Sequence, residues 1–300
     1  SIGGASEVTR GPAHWKTILI GGMRYGGACK PVDANCSANT PNGVCAPAEV
    51  SGASIGYSSY FALDITEPTN PVILWERSST ELAGLGFTTA GPVVLRMNPR
   101  AGGVELANGK NLNGKWFVVL ASGPTGPIAT DRQFMGRSDQ NMKLFVLDLR
   151  TGALLSTIDS AIPYSFAGNM LGTALDTNAD YQDDVVYIPY TKKSSAGSEW
   201  IEGGVGRLVV GGNSDHTTWS FSQVTATDLG PVTATVSKLL DTNTNSLWLF
   251  FGTGRYFYEQ SGGADDGDSQ RHIFGIKDPC YTSTGFNETC LTTHLSTALD

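Results

Sequence analysis

The sequence predicts an all-β fold, and among the all-β folds it favours a β-propeller. Helical periodicity is hard to find, whereas short apolar or alternating runs recur. Gly, Asn, Pro and Asp bound these runs, which is the pattern of strands joined by tight turns. Many short strands at regular intervals are typical of a sandwich, a barrel or a propeller.

The strand-like runs can be read off in chain order. They are "WKTILIGGM", "SYFALDI", "PVILWE", "GPVVLRM", "KWFVVLASG", "MKLFVLDL", "ALLSTID", "DVVYIPY", "GRLVVGG", "TTWSFSQV", "TATVSKLL", "SLWLFFGTG" and "HIFGIKD". All of the tryptophans lie in or beside strand-like runs, so packing between strands explains them without a ligand.

A weak internal repeat separates the propeller from the other all-β folds. "YFALDITEPTNPVILWE" and "LFVLDLRTGALLSTID" share one plan, in which an aromatic strand ends in Leu-Asp and a short turn leads into an apolar strand. We interpret each as the outer hairpin of a blade. Asp64 or Asp148 can accept hydrogen bonds from turn amides, and Gly152 supplies a positive φ.

A second pair of segments predicts the inner part of the blades. "GPVVLRM" with "KWFVVLASG", and "GPVTATVSKLL" with "SLWLFFGTG", each run from Gly-Pro through an inner strand to an aromatic-rich strand that ends in small residues. Small residues there let backbones crowd near the axis. About four such units occur, within the usual range of about 4–8 blades. We expect one domain over residues 1–300, part of a longer protein.

Composition excludes several classes of partner. The formal net charge is −8 and the pI is about 5.0, so no basic face is available for nucleic acid or for anionic lipid. No apolar run approaches the ~20 residues that span a bilayer, so direct membrane insertion is not expected.

The five cysteines indicate disulfides and hence an oxidising compartment. Cys29, Cys36 and Cys45 lie in a turn-rich loop, and their pairing is left open. Cys280 and Cys290 enclose "YTSTGFNET" and are the only late cysteines, so we predict that they are joined. Free thiols in a cytosolic protein are the alternative.

The stretch "DTNADYQDD" contains the strongest candidate site. Oxygen-bearing side chains fall at its positions 1, 3, 5 and 9, which are Asp176, Asn178, Asp180 and Asp184, and Gln182 offers a backbone carbonyl at position 7. This alternation suits Ca²⁺, which takes six to eight oxygen ligands. The loop is not an EF-hand, since position 6 is Tyr and position 12 is Tyr. Asp183, at the even position 8, is expected to point away and to be dispensable.

Other motifs carry weaker signals, and the acidic stretch itself has a simpler interpretation as a solvated turn. Ser54 formally fits G-x-S-x-G but lacks the strand and helix of a nucleophile elbow. "DTNTNS" at 241–246 is expected to be a β-turn, and "SGGADDGDSQ", with Asp265, Asp266 and Asp268, is better explained as a mobile loop than as a second cation site. The four histidines form no close pair and no zinc motif.

These segments together resemble the C-terminal β-propeller domain of the PilY/PilC family of type IV pilus tip and biogenesis proteins. "SYFALDITEPTNPVILWE", "LGFTTAGPVVLRM", "GKWFVVLASG" and "KLFVLDLRTGALL" follow in family order. "ALDTNADYQDDVVY" stands where the family has its calcium loop, and "LWLFFGTGRYFYE" and "HIFGIKD" resemble its closing segments.

The resemblance implies an irregular β-propeller of the PilY C-terminal type, with Ca²⁺ bound by Asp176, Asn178, Asp180, Asp184 and the Gln182 carbonyl. It implies a type IV pilus tip and biogenesis protein, an adhesin and a regulator of pilus extension and retraction, rather than an enzyme. The implied partners are pilin and minor pilins and a host or surface receptor. The implied location is the bacterial cell surface, reached through the periplasm.

Two other functions stay open at this point. Quinoprotein dehydrogenases are propellers whose blades read A-L-D-x-x-T-G-x-x-L-W, but this chain lacks a vicinal Cys-Cys pair and does not repeat the Trp motif. The other alternative is a scaffold propeller in which calcium is only structural.

Overall fold

The computed structural model describes residues 16–24, 58–97, 114–125, 136–197, 199–255, 259–260, 263–264 and 270–293. The predicted extent of the domain stays a prediction. Several residues named above lie outside these ranges: Cys29, Cys36, Cys45, Ser54, Asp265, Asp266, Asp268, His14, His294 and Trp15.

Nearly all of the regular structure is β-strand. The strands are β1 (Ile18–Gly22), β2 (Tyr60–Asp64), β3 (Val72–Arg77), β4 (Val93–Met97), β5 (Lys115–Ala121), β6 (Lys143–Asp148), β7 (Leu154–Asp159), β8 (Ser165–Ala167), β9 (Ala174–Leu175), β10 (Val185–Lys192), β11 (Glu202–Val209), β12 (Ser220–Gln223), β13 (Ser237–Asp241), β14 (Ser246–Gly252), β15 (Glu259–Gln260), β16 (Gly263–Ala264), β17 (Ile273–Lys277), β18 (Tyr281–Thr282) and β19 (Gly285–Phe286). A short 3₁₀ helix spans His216–Thr218. None of the helical structure in the described ranges is long and apolar enough for a membrane span.

Four antiparallel sheets follow one another along the chain, and we call them blades 1 to 4. Blade 1 is β1-β2-β3, blade 2 is β4-β5-β6-β7, blade 3 is β8-β10-β11-β12 with β9 also paired to β10, and blade 4 is β13-β14-β17. Two small ribbons, β15-β16 and β18-β19, complete the described strands. Strands that are neighbours in a blade are neighbours in sequence, as tight turns require, apart from β8 and β10, which β9 separates, and β14 and β17, which the small ribbon separates.

The blades pack face to face in the same order. In β5, Val118 and Leu120 join the core between blades 1 and 2, whereas Val119 and Ala121 join the core between blades 2 and 3. Side chains alternate between the two faces of a strand, so every second residue serves each interface. A two-layer sandwich cannot bury both faces of a sheet in this way, and the predicted propeller architecture is confirmed.

The outer hairpins form as the repeat predicts. The Asp148 carboxylate accepts from the backbone amides of Arg150 (3.0 Å) and Thr151 (2.8 Å), and Gly152 has φ +64°. A Cβ on Gly152 would lie 2.4 Å from Cγ of Trp75 in blade 1. The same Trp75 donates its indole N–H to the Leu149 carbonyl at 2.8 Å, so this turn also joins two blades.

Small residues bring the backbones of the blades together at the inner ends. Within blade 3 the amide of Gly168 donates to the Pro189 carbonyl at 2.7 Å, and the amide of Asn169 donates to the carbonyl of Thr233, ahead of β13 of blade 4, at 3.0 Å. Met170 donates to Gly91 of blade 2 at 3.2 Å. A Cβ on Gly168 would lie 2.7 Å from the Val232 carbonyl oxygen, which explains the small residue there. This crowding near the axis was predicted from the Gly-Pro segments.

The predicted disulfide between Cys280 and Cys290 is present, with its Cα atoms 5.5 Å apart. It closes a loop that follows β17 and carries the β18-β19 ribbon. The loop is held against blade 3, because the fully buried Arg207 of β11 donates to the Asp278 carboxylate and to the Thr292 carbonyl. These two residues flank the disulfide on either side.

Candidate metal loop

The acidic stretch forms the connection from β9 to β10 in blade 3. In blade 4 the corresponding connection, from β13 to β14, is the "DTNTNS" segment. That segment is the predicted β-turn, with the Asp241 carboxylate accepting from the amide of Asn243 at 2.9 Å. Two consecutive blades therefore present related Asp-Thr-Asn sequences at the same place, and only the first carries further carboxylates.

The Asp176 carboxylate organises the first half of the loop. It accepts from the backbone amides of Asn178 (3.2 Å), Asp180 (3.3 Å) and Tyr181 (2.8 Å). Ala179 and Tyr181 have φ of +61° and +70°, a conformation that is uncommon for residues other than Gly. The chain is thereby coiled around the first aspartate.

The next two predicted ligands extend this chain of contacts. The Asn178 side-chain oxygen accepts from the Asp180 amide at 2.9 Å. The Asp180 carboxylate accepts from the backbone and side-chain nitrogens of Gln182, at 2.9 and 3.0 Å. Asn178 and Asp180 are exposed, so their oxygens stand at the solvent side of the loop.

Asp184 closes the loop from the buried side. Its Oδ2 accepts from the backbone amide of Thr177 at 2.7 Å and from the Thr177 hydroxyl, which brings the ninth position back to the second. Burial raises the pKa of the Asp184 carboxyl, the Thr177 hydrogen bonds oppose this, and the nearby carboxylates of Asp180 and Asp176 raise it further. The three carboxylates are therefore close enough to repel one another.

Asp183, at the even position 8, directs its carboxylate to blade 2. Its Oδ2 accepts from the backbone amide of Arg96 in β4 at 2.8 Å, and its own amide donates to the Arg96 carbonyl at 3.2 Å. Burial raises the pKa of the Asp183 carboxyl. Asp183 thus ties the loop to blade 2, and the prediction that it is dispensable for calcium binding stays a prediction.

Two residues that the spacing could not reveal also reach the loop. Glu288, in the disulfide loop, has its Oε2 2.7 Å from the position a Cβ on Gly211 would take, and the Gly211 amide donates to the Asp184 carbonyl at 2.9 Å. Burial raises the pKa of the Glu288 carboxyl, and the charges of Asp184 and Asp180 add to the rise. Lys238 of blade 4 donates to the Ala174 carbonyl at 2.6 Å, just before the loop.

The donor set is made of oxygens alone, which fits a hard cation such as Ca²⁺ and not zinc or copper. In the conformation described, the carboxylates are engaged with backbone amides. Across the described ranges, no three His, Cys, Asp or Glu side chains converge closely enough to hold a metal ion. The residues that would hold calcium thus lie on one loop, and their carboxylate charges act on one another.

The two described histidines have packing roles. The ring of His216 lies edge-on to Phe117, with centroids 6.3 Å apart, and His272 packs against Phe274 at 5.8 Å. They lie in different blades, so they give no support to a histidine metal site.

Comparison with known proteins connects the chain to one group. No family model matches. The chain is 26% identical over 206 residues to a "Type IV pilus biogenesis factor PilY1 homolog" of Xylella fastidiosa, covering 67% of this chain and 13% of that protein. It is 24% identical over 287 residues to the "Type IV pilus biogenesis factor PilY1" of Pseudomonas aeruginosa, covering 88% of this chain and 19% of that protein.

The fold comparison agrees with the sequence comparison. The solved C-terminal domain of Pseudomonas aeruginosa PilY1 superposes with a TM-score of 0.59 at 19% identity, over 97% of this chain and 51% of that chain. The chain thus spans less than a fifth of the length of these curated relatives and about half of the solved domain. The resemblance predicted from the sequence motifs is confirmed.

Proposed function

We infer that this chain, a member of the PilY1 C-terminal domain family, serves in type IV pilus biogenesis and binds Ca²⁺ in the loop from Asp176 to Asp184. The observation that carries the proposal is the position of this loop. It joins β9 to β10 in blade 3, with its carboxylates charge-coupled, in a propeller whose sequence relatives are named pilus biogenesis factors.

The proposed ligands are the side chains of Asp176, Asn178, Asp180 and Asp184 and the carbonyl of Gln182. Ca²⁺ is bound by oxygens at about 2.3–2.6 Å in flexible geometry, which a coiled loop of alternating donors can provide. The cation relieves the repulsion among the carboxylates, which adds to the effect of burial in raising the pKa of Asp184. Mg²⁺ suits the loop less, because it prefers fewer carboxylates and keeps more water.

We expect Ca²⁺ binding at this loop to affect parts of the protein beyond blade 3. Asp183 ties the loop to blade 2, Lys238 ties the strand before it to blade 4, and Glu288 joins it to the disulfide loop. Calcium occupancy therefore orders a junction of several blades. We propose that this ordering tunes the protein's control of pilus extension and retraction.

The proposed partners are pilin and minor pilins at the pilus tip, with a host or surface receptor as the adhesion target. The proposed location is the bacterial cell surface, reached through the periplasm. The disulfide between Cys280 and Cys290 supports this location, because disulfides persist in oxidising compartments.

A calorimetric Ca²⁺ titration tests the site. Wild type, Asp184→Ala and Asp241→Ala are compared, since Asp241 starts the corresponding connection in blade 4 and serves as a matched control. We expect Asp184→Ala to lose at least tenfold in affinity and Asp241→Ala to match wild type. Equal affinity in wild type and Asp184→Ala would contradict the site.

The regulatory role needs a separate test in the living cell. A strain carrying Asp184→Ala, with loss of calcium demonstrated in the purified protein, is expected to be impaired in twitching. Normal twitching in that strain would leave calcium as a structural ion in a scaffold propeller.

A further inference from the structure

A pocket of about 520 Å³ lies where the inner ends of the four blades converge. It is separate from the calcium loop, because the two sites lie at opposite ends of β4. The strand begins just after Pro92, which lines the pocket, and Arg96, near the other end of the strand, contacts the loop. The lining residues are Ile20, Gly22, Arg24, Thr88, Thr89, Ala90, Gly91, Pro92, Ala167, Gly168, Asn169, Leu171, Thr233, Ala234 and Thr235. None of them is acidic, although the chain has a net charge of −8.

Arg24 is the one charged residue in this lining, and its backbone is held in an unusual conformation. Its φ is +54°, in the left-handed region. Its amide donates to the Thr88 hydroxyl at 2.9 Å, and its carbonyl accepts from the Ser58 hydroxyl at 2.5 Å. Ser58 and Thr88 are buried and hydrogen-bonded to each other, so the strained backbone is fixed from the core.

The Arg24 side chain, in contrast, is exposed and makes no hydrogen bond or ion pair with any described residue. A guanidinium presents several N–H donors in a planar fork that matches a carboxylate. A cation whose backbone is rigidly placed, and whose charge has no hydrogen-bond or ion-pair partner among the described residues, is suited to an external anion.

Two further polar groups stand in the same lining without a full set of partners. The Thr89 hydroxyl oxygen is buried and has no hydrogen-bond partner. The Asn169 side-chain oxygen accepts from the Leu171 amide at 3.0 Å, which fixes the carboxamide and leaves its NH₂ without a bond to described residues. The Asn169 side chain is only half-buried, so its NH₂ is available as a donor in the lining, whereas the Thr89 hydroxyl is enclosed by protein.

Apolar side chains complete the pocket. Ile20, Pro92 and Leu171 line it, and Leu171 is 55% exposed. A volume of this size lies in the range of small-ligand sites, where a few polar groups fix a ligand that contacts mostly apolar wall. The chemistry calls for an anionic oxygen group attached to an apolar body.

We propose that this axial pocket binds a peptide carboxylate, with Arg24 as the ion-pair partner and the Asn169 side chain as an additional donor. A peptide offers this group either at its C-terminus or on an Asp or Glu side chain. The proposal concerns a second binding site and does not depend on calcium.

The test uses isothermal titration calorimetry with three N-acetylated peptides. These are Ala-Leu-Ala-Leu with a free C-terminus, the same peptide as its C-terminal amide, and the amide of Ala-Leu-Glu-Leu. We expect the neutral amide to bind at least tenfold more weakly than one or both of the others. Preference for the first peptide identifies a terminal carboxylate, and preference for the third identifies an acidic side chain.

Variants decide whether the pocket is responsible. Arg24→Gln should lose at least tenfold in affinity, and Arg24→Lys should lose less, because it keeps the charge. Asn169→Asp keeps the oxygen that accepts from Leu171 but adds a negative charge, so it should also abolish binding. Arg150→Gln, on an exposed outer turn, is the control and should match wild type. Equal binding of acid and neutral peptides, no binding of any peptide, or unchanged affinity in Arg24→Gln would overturn the proposal.

Discussion

Tyr187 of blade 3 donates its hydroxyl hydrogen to Asp278, just beyond β17 of blade 4, at an O–O distance of 2.6 Å. The same carboxylate pairs with the fully buried Arg207, whose Nε donates to the Ser222 hydroxyl at 3.0 Å. The backbone amide of Cys280 donates to it at 2.9 Å. A buried guanidinium and a buried carboxylate thus satisfy each other between blade 3 and the start of the disulfide loop.

Removal of Asp278 should unfold the protein more readily than removal of the Tyr187 hydroxyl. Asp278→Ala leaves the Arg207 charge buried without its counter-ion, which costs about 3–5 kcal/mol. Tyr187→Phe loses one hydrogen bond and should cost about 1–2 kcal/mol. Urea denaturation of the oxidised protein measures both. A larger loss for Tyr187→Phe than for Asp278→Ala would contradict this account of the network.

Glu288 should contribute to calcium affinity from outside the loop. Its carboxylate shares the field of Asp184 and Asp180, so Glu288→Gln removes negative charge from the site and should weaken Ca²⁺ binding several-fold. Glu67→Gln, on the exposed turn after β2, is the matched control. Calorimetry on the two variants decides the question, and the prediction fails if Glu288→Gln binds Ca²⁺ as tightly as Glu67→Gln.

Loss of the disulfide should affect both stability and calcium. Cys290→Ser opens the loop that positions Glu288, and removal of a short-loop disulfide is expected to cost about 2–3 kcal/mol. Calcium affinity should fall to about the level of Glu288→Gln. Combining the two substitutions separates the effects, since the double variant should bind Ca²⁺ no more weakly than either single one.

Gly152→Ala should destabilise the protein by more than Gly172→Ala. Both glycines have a positive φ, +64° and +69°, and so carry a similar backbone cost of about 1 kcal/mol. Only Gly152 is also pressed against Trp75, whereas a Cβ on Gly172 meets nothing within 4 Å. Thermal unfolding of the pair isolates the contact between blades. Equal melting temperatures would show that the Trp75 contact relaxes without cost.

Acid should weaken the attachment of β1 to β2. Lys16 ion-pairs with Asp64 at 2.8 Å, and this contact, with the hydrogen bonds from Thr66, lowers the pKa of Asp64 to about 2. A carboxyl whose pKa is lower in the folded state adds stability above its unfolded pKa and loses it as the pH falls through the folded one. Asp64→Asn should therefore flatten the loss of stability between about pH 4 and pH 2. An unchanged acid-unfolding profile in Asp64→Asn would contradict this contribution.

The sequence was sufficient for local features and insufficient for contacts between distant segments. The turn at Asp148 and Gly152 and the Gly-Pro inner strands follow from nearest-neighbour chemistry, so they were predictable. The order of carboxylates in the acidic loop was visible for the same reason. Glu288, Arg96 and Lys238 reach that loop from other blades, and no spacing rule connects them to it. Arg24 gave no local signal, because only the fold places it at the pocket.

The network around Arg207 sets an order of events for a chain that is synthesised from its N-terminus. Blade 3 is complete in sequence at Gln223, but the partners of its buried guanidinium, Asp278 and the Thr292 carbonyl, are among the last described residues. Until these partners have been synthesised, the charge of Arg207 has no counter-ion, and the surroundings of its guanidinium must remain hydrated. Blade 3 therefore cannot exclude water from around Arg207 while the chain is still being synthesised. Its folding is completed only with the same stretch of chain that brings Cys280 and Cys290 together.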